Sequence, residues 1–346
     1  MSINPFHLSD YKYLFFDMFY KNNNLYLISP IYIQPFNTDD IHIIVNQKEL
    51  IVTEKHVKDC AEPVAIYIYA GANAGAGTGA GTVPINVTVT FLNITKTYVL
   101  QHHITRQNNE VAVTTLFKDD YALFPVFYDY YKKQGVSHFY MYYNGISSPQ
   151  IKHLFRVANV TLIDWDVPYW TPKNNYTHHA QPGQMHHALY RYGKDIRQYM
   201  MFCDFDEYLH IPHTTLKAYV AQHPLVDTFG FCNKWSKCLD NNQGHSLPRH
   251  SLQRNTLPRD SLQRNTLPRD SLPRQFLTTP GIYPYNTRSK NIHKVNAVNT
   301  LGIHVAYHYN VAEPVILSKF IMFHFYNWSK PNRENKDCPM ILVSIE

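Results

Sequence analysis

The sequence predicts an α/β protein: a mostly parallel sheet with flanking crossover helices, preceded by a small β-rich domain. Three observations predict it. From residue 110 onward, apolar runs rich in β-branched and aromatic residues alternate with segments of helical apolar spacing, the rhythm of strand–helix–strand units. Before residue 110, similar runs follow one another with only turn residues between them. The length of 346 residues suits about two domains at roughly 150 residues each.

In residues 1–109, "NLYLISPIYI", "IHIIVNQKELIV", "PVAIYIYAG" and "INVTVTFLNI" read as strands. Pro35-Phe36-Asn37, Asp39-Asp40 and a Gly/Ala tract at 71–82 separate them. That tract, "GANAGAGTGAGT", has side chains too small to pack a core and reads as a flexible hairpin loop. It lacks the G-K-[ST] ending and following helix of a phosphate-cradling loop.

The second region, 110–346, opens with the strand "EVAVTTLF". A helix "YALFPVFYDYYKKQG" follows, closed by Gly135, and then a strand "SHFYMYYN". "SPQIKHLFRVAN" reads as a helix with Ser147 or Ser148 as its N-cap, "VTLIDWD" as a strand and "GQMHHALYRYGKD" as a helix. "QYMMFCDFDEYLHI" reads as one further strand. At 246–275 lies an internal repeat, with "SLQRNTLPRD" at 251–260 and again at 261–270. A proline in every unit opposes a long helix, so the repeat reads as a surface insertion. A basic arm for polyanions is the alternative.

A net charge of +6 is spread along the chain and not gathered on one element, which argues against nucleic acid as partner. No run approaches the ~20 apolar residues of a membrane span. The start, "MSINPFHLSDYKYLFFDMFYKNNN", has no basic segment leading into an uninterrupted apolar one. Five scattered cysteines (Cys60, Cys203, Cys232, Cys238, Cys338) form no CxxC pair, which opposes a zinc site or disulfide framework. Five N-x-S/T sequons, at Asn86, Asn93, Asn159, Asn175 and Asn327, read as chance in an Asn-rich chain. Together these features predict a soluble, cytoplasmic chain.

The most telling stretch is "QYMMFCDFDEYLHIP", where an apolar run meets Asp204, Asp206 and Glu207. Ligands in α/β sheets sit outside the carboxyl ends of strands. Two carboxylates spaced by one residue at such an end can turn toward one hard cation, Mg²⁺ or Mn²⁺, which prefers carboxylate and phosphate oxygens. Solvated turn acids are the plain alternative, and a second D-x-D occurs at Asp164 and Asp166.

Five pieces in order, over about 220 residues, resemble the GT-A-fold glycosyltransferases, and most closely glycosyltransferase family 92 and related family-2-like enzymes. They are "VAVTTLFKDDYALFPVFYDYYKKQGVSHFYMYYNGIS", "VTLIDWDVPYW", "AQPGQMHHALYRYGKDIRQYMMFCDFDEYLHIP", "LPRQF" with "RSKNIHKVNAVNTLGIHVAYHY", and "MFHFYNWS". The resemblance implies a Rossmann-like GT-A sheet and transfer of a sugar from a nucleotide donor, UDP-linked, to a glycan or protein-linked acceptor, with Mn²⁺ or Mg²⁺ as cofactor. By that resemblance Asp204 contacts the ribose or the metal, Asp206 ligates the metal, and Glu207 supports them. His304 in "GIH" supplies a further metal ligand, and His324 is a second candidate. Lys290 or Lys294 holds the diphosphate. The turn from Thr114 to Asp120 embraces the nucleotide, with Lys118 and Asp120 in contact. Gln181 or Gln184 touches it too, or merely starts a helix. The resemblance also implies inversion at the anomeric carbon, which needs a carboxylate to accept the acceptor's proton. Asp240 is the only carboxylate between "DTFGFCNKW" and the repeat, which makes it the candidate base.

Lys294 is followed by valine where the family has proline, and the repeat swells the acceptor region. A catalytically degenerate binding or structural protein is therefore one alternative. A sugar nucleotidyltransferase is another, opposed by the lack of glycine in "TTLFKDDY".

Overall fold

The computed structural model describes residues 1–9, 12–30, 40–58, 64–70, 84–103, 111–171, 174–178, 180–193, 199–238, 275–283, 288–304, 315–325 and 341–344. The Gly/Ala tract, the repeat and Asp240 lie outside the described residues.

The N-terminal strands are β1 (Phe6–Ser9), β2 (Lys12–Phe15), β3 (Asp17–Lys21), β4 (Asn24–Pro30), β5 (Ile41–Val45), β6 (Lys48–Leu50), β7 (Val52–Lys58), β8 (Val64–Ala70), β9 (Ile85–Phe91) and β10 (Ile94–Leu100). They form a β1-β2 hairpin and two four-stranded sheets, ordered β3-β4-β8-β7 and β10-β9-β5-β6. The outer sheet shows the alternation of a half-buried strand: Ile41, Ile43 and Val45 are buried while His42 and Ile44 are exposed. The inner sheet differs. Ala65, Tyr67 and Tyr69 of β8 pack with Ile43 and Val87 of the outer sheet. Val64, Ile66 and Ile68 point the other way, into a core shared with Trp165, Ala188 and Tyr192. Burial on both faces explains why "VAIYIY" is continuously apolar. The β-rich region therefore shares one core with the chain that follows it.

A buried charge network reinforces that seam. Asp17 sits in the apolar run "LFFDMFY" and is fully buried. Its carboxylate accepts from the Asn4 amide at 2.6 Å, from His187 Nε2 at 2.7 Å and from Arg191 at 2.8 Å. His187 Nδ1 in turn lies 2.7 Å from the Tyr142 hydroxyl. Burial pushes the Asp17 carboxyl up, but Arg191 and His187 outweigh it and hold it below the usual carboxylate range.

The remaining elements are β11 (Val111–Phe117), α1 (Phe124–Lys133), β12 (Val136–Tyr143), α2 (Pro149–Leu154), β13 (Val160–Asp164), β14 (Trp170–Thr171), β15 (Asn174–His178), α3 (Ala180–His187), β16 (Tyr199–Phe202), β17 (Glu207–His210), α4 (Leu216–Gln222), β18 (Thr228–Cys238), β19 (Gln275–Thr278), β20 (Lys290–Lys294), β21 (Val315–Phe325) and β22 (Ile341–Ser344). Ten of these strands form one sheet, ordered β13-β12-β11-β16-β20-β18-β19-β22, with β21 beside β18 and β17 beside β21.

The expectation of a mostly parallel sheet needs correction. β13, β12, β11 and β16 are parallel neighbours. Beyond β16 the β16–β20, β20–β18, β18–β19, β19–β22 and β17–β21 pairs are antiparallel, and only β18–β21 is parallel. The sheet is mixed. Parallel neighbours need long crossovers, and α1, α2 and α3 supply them for the first four strands. Among the described residues α4 is the last helix.

Local expectations hold with shifts at the ends. Ser148 caps α2 by accepting from the Ile151 amide, but the helix ends at Leu154. α3 starts at Ala180 and runs into a π-helical turn at Ala188–Gly193. Gly135 follows α1 with φ +83°, a conformation that favours glycine. Gly183 in α3 makes room for Phe16: a Cβ there would come within 2.7 Å of the phenyl ring.

Candidate active site

The single strand expected over "QYMMFCDFDEYLHI" is two strands, β16 and β17, with Asp204 and Asp206 in the turn between them and Glu207 opening β17. Glu207 makes that turn. Its amide donates to the Asp204 carbonyl at 3.1 Å, and its carboxylate accepts from the Asp204 amide at 2.8 Å. β16 stops at Phe202 beside its parallel neighbour β11 and at the border with antiparallel β20, so the acids emerge at its carboxyl end.

α1 fixes where β17 goes. The buried Tyr131 hydroxyl donates to the Glu207 carbonyl at 2.8 Å and accepts from the Leu209 amide at 3.2 Å. Tyr130 donates to the Leu209 carbonyl at 2.7 Å. On the other side β21 pairs with β17, setting His324 opposite Glu207.

Much of the positive charge that this acidic turn demands comes from the chain itself. Lys290, at the start of β20, places Nζ 3.2 Å from Asp204 Oδ2 and 3.1 Å from Glu207 Oε2. His324 places Nε2 3.4 Å from Asp206 Oδ2 and Nδ1 3.6 Å from Glu207 Oε1. Burial opposes a charge on Lys290, but Asp204 and Glu207 outweigh it and raise the ammonium above the ordinary lysine range. Burial would likewise lower His324, yet Asp206 and then Glu207 raise it. Burial pushes the Glu207 carboxyl up to about 7, against the pull of Lys290. Asp120, after β11, is also pushed up to about 7, by burial and then by the charge of Asp206. Acids thus remain crowded around the turn after Lys290 and His324 are counted.

Beside the turn is a small cleft lined by Thr114, Thr115, Gln181, Gln184, Phe202, Asp204 and Lys290. Gln184 is buried and donates to the Thr114 hydroxyl at 2.7 Å, which donates to the Tyr140 carbonyl at 2.9 Å. Gln181 donates to Asp204 Oδ1 at 3.5 Å. Both glutamines are delivered by α3, the helix that Asp17 grips at His187. The Thr115 hydroxyl is buried and has no hydrogen-bond partner among the described residues.

Of the residues singled out by sequence, the fold gathers Thr114, Gln181, Gln184, Asp204, Asp206, Asp120, Lys290, His304 and His324. Lys118 is exposed at the turn after β11, where its amide donates to Asp120 Oδ1 at 3.2 Å. Lys294 is not part of the cluster: its ammonium donates to the Pro224 carbonyl and pairs with Asp227. His304 Nδ1 lies 3.4 Å from the Ser289 carbonyl. Burial, then Lys290, drives its imidazole down to about 4, so it is neutral near pH 7.

The donor set suits a hard divalent cation. Asp204 and Asp206 offer oxygens, and Asp204 is partly exposed to the cleft. Among the described residues no three His, Cys, Asp or Glu side chains converge as a closed cage. A Mg²⁺-type ion held by one or two carboxylates takes its other ligands from phosphate and water.

A family model, that of glycosyltransferase family 92, matches residues 108–338. The chain belongs to glycosyltransferase family 92. Membership supports glycosyltransferase activity, with a sugar donor and a glycan acceptor. No curated protein sequence matches the chain. In this family 92 chain the matched segment begins just before β11 and so contains the whole acidic turn. The Asp17–His187–Arg191 network, the Tyr131 bridge and the Glu207–Lys290 pair escaped sequence reading. Only Asp17 left a signal, as a lone acid inside an apolar strand. Among the described residues no helix is long and apolar enough to cross a membrane.

Proposed function

We propose that the chain is a metal-dependent glycosyltransferase that moves a sugar from a UDP-linked donor to a glycan or protein-linked acceptor, inverting the anomeric carbon. The observation that carries this reading is the crowding of Asp120, Asp204, Asp206 and Glu207 at the carboxyl ends of the neighbouring strands β11 and β16, beside a cleft lined by Thr114, Gln181 and Gln184. Like charges packed this closely are relieved by a cation.

Asp206 and Asp204 would hold the ion, joined by neutral His304. When bound, Mn²⁺ or Mg²⁺ offsets the charge that develops on the departing diphosphate. Asp120 and Lys118 reach the base and ribose from the turn after β11. Gln181 steers Asp204 through its amide. Glu207 keeps the turn closed through the Asp204 amide, and Lys290 and His324 keep Glu207 and Asp206 in place as counter-ions. A carboxylate across the donor takes the acceptor's proton, with Asp240 as the candidate.

Calorimetric titration with UDP, with and without Mn²⁺, tests the donor half. Metal-dependent binding, lost in Asp206→Asn, is expected, together with turnover on a panel of nucleotide sugars. Full activity in excess chelator would refute the metal role. Binding without turnover on any donor would favour a degenerate binding protein. Retained anomeric configuration in the product would refute inversion.

A further inference from the structure

We propose that Arg288, laid against the Trp235 ring, is the side chain that receives the donor's diphosphate. The inference rests on the donor reading above and assigns a role there to a residue to which the resemblance gives none.

Lys290 is almost wholly buried, and its ammonium is already shared by Asp204 and Glu207. An ammonium locked between two carboxylates is a counter-ion to them and has little left to offer a phosphate. Lys294 is committed to Pro224 and Asp227. Lys118 lies on the β11 side of the acidic turn. On the β20 and β18 side Arg288 is a further cation, set beside Trp235 and close enough to His304 to act on its charge.

Three features fit Arg288 to the task. It is half-buried, and among the described residues no carboxylate lies within ion-pairing distance of it. Its backbone is fixed: the Ser289 hydroxyl donates to the His304 carbonyl, His304 Nδ1 faces the Ser289 carbonyl, and Lys290 begins β20. Its guanidinium is held 4.8 Å from the centre of the Trp235 ring. A guanidinium stacked on an aromatic face keeps its edge donors free for a bidentate contact. Holding it there beforehand reduces the ordering cost on binding.

Its position relative to the acids follows from register. Trp235 of β18 lies opposite His324 of β21, with ring centres 5.8 Å apart. His324 in turn touches Asp206. Two rings, those of Trp235 and His324, therefore link Arg288 to the carboxylate that would hold the ion. A diphosphate bridging the two would meet fixed positive charge on the side away from Lys118.

The test compares UDP and UMP binding, by calorimetry in Mn²⁺, to the wild type, Arg288→Gln, Arg288→Lys and Trp235→Leu. A charge-assisted contact to the outer phosphate predicts that Arg288→Gln weakens UDP by about tenfold to a hundredfold and UMP far less. Arg288→Lys recovers part of the loss, since it restores charge but not the fork. Trp235→Leu gives an intermediate loss by releasing the guanidinium. Equal losses for UDP and UMP in Arg288→Gln would point to a structural role and overturn the assignment. Unchanged UDP affinity in that variant overturns this inference alone. A wild type that binds no UDP overturns the donor reading and this inference with it.

Discussion

Replacing Asp17 by asparagine should damage both the seam between the β-rich region and the catalytic sheet and the cleft that the seam supports. In the native protein the fully buried Asp17 carboxylate serves three donors at 2.6–2.8 Å. Two of them, His187 and Arg191, belong to the α3 segment that delivers Gln181 and Gln184. Asparagine keeps the shape but removes the negative charge and turns an N–H toward donors. Breaking a buried pair by removing one partner costs about 3–5 kcal/mol. Against a total stability of roughly 5–15 kcal/mol, that is a large fraction. Urea unfolding, followed by tryptophan fluorescence, should show a midpoint lower by on the order of 1 M. Trp165 reports on the site, because it is buried with its ring centre 5.9 Å from that of Phe16 and 5.1 Å from that of His187. The loss should also depend on pH. The folded Asp17 carboxyl lies below its ordinary value of about 4. Its contribution is present above that ordinary value and disappears as pH falls through the folded one. Wild type and variant should therefore converge in acid. A midpoint shift below about 0.3 M at neutral pH would refute the argument. So would a variant whose β-rich region melts separately while the catalytic sheet stays intact, because the two share one core.

Tyr131→Phe leaves the buried Leu209 amide and Glu207 carbonyl without their shared hydroxyl; a stability loss of about 1–3 kcal/mol and a fall in kcat are expected, and unchanged kcat would show that β17 holds the acids without it. Gly183→Ala drives a methyl to within 2.7 Å of the Phe16 ring, so thermal unfolding should reveal a loss of about 1–3 kcal/mol, relieved by adding Phe16→Leu. Asp120→Asn should be more stable than wild type in metal-free buffer, increasingly so from pH 5 to pH 8. The wild-type carboxyl, held up near 7 when folded, loses stability as pH rises past its unfolded value. A Tm difference that does not grow with pH would contradict this, and Mn²⁺ should shrink the difference.

The sequence determined by itself whatever rests on local periodicity and short spacing. "VAVTTLF", "SHFYMYY" and "VTLID" are strands because β-branched and aromatic residues fill them, and α1 ends where Gly135 adopts φ +83°. The acids of "DFDE" were legible as a strand-end cluster because their spacing alone brings them together. What periodicity cannot encode is which distant strand becomes a neighbour. The antiparallel half of the sheet depends on β20 entering between β16 and β18, a choice made by long-range burial and not by any residue near it. That choice put Lys290 between Asp204 and Glu207, 86 residues away along the chain from the former, and left Lys294 outside the site. It also laid Arg288 on Trp235 and set His324 against Asp206. The double-faced burial of the β3-β4-β8-β7 sheet was likewise decided in three dimensions. A continuously apolar strand shows only that both faces are covered, and tertiary packing supplied the cover: a sandwich partner on one side and the catalytic core on the other.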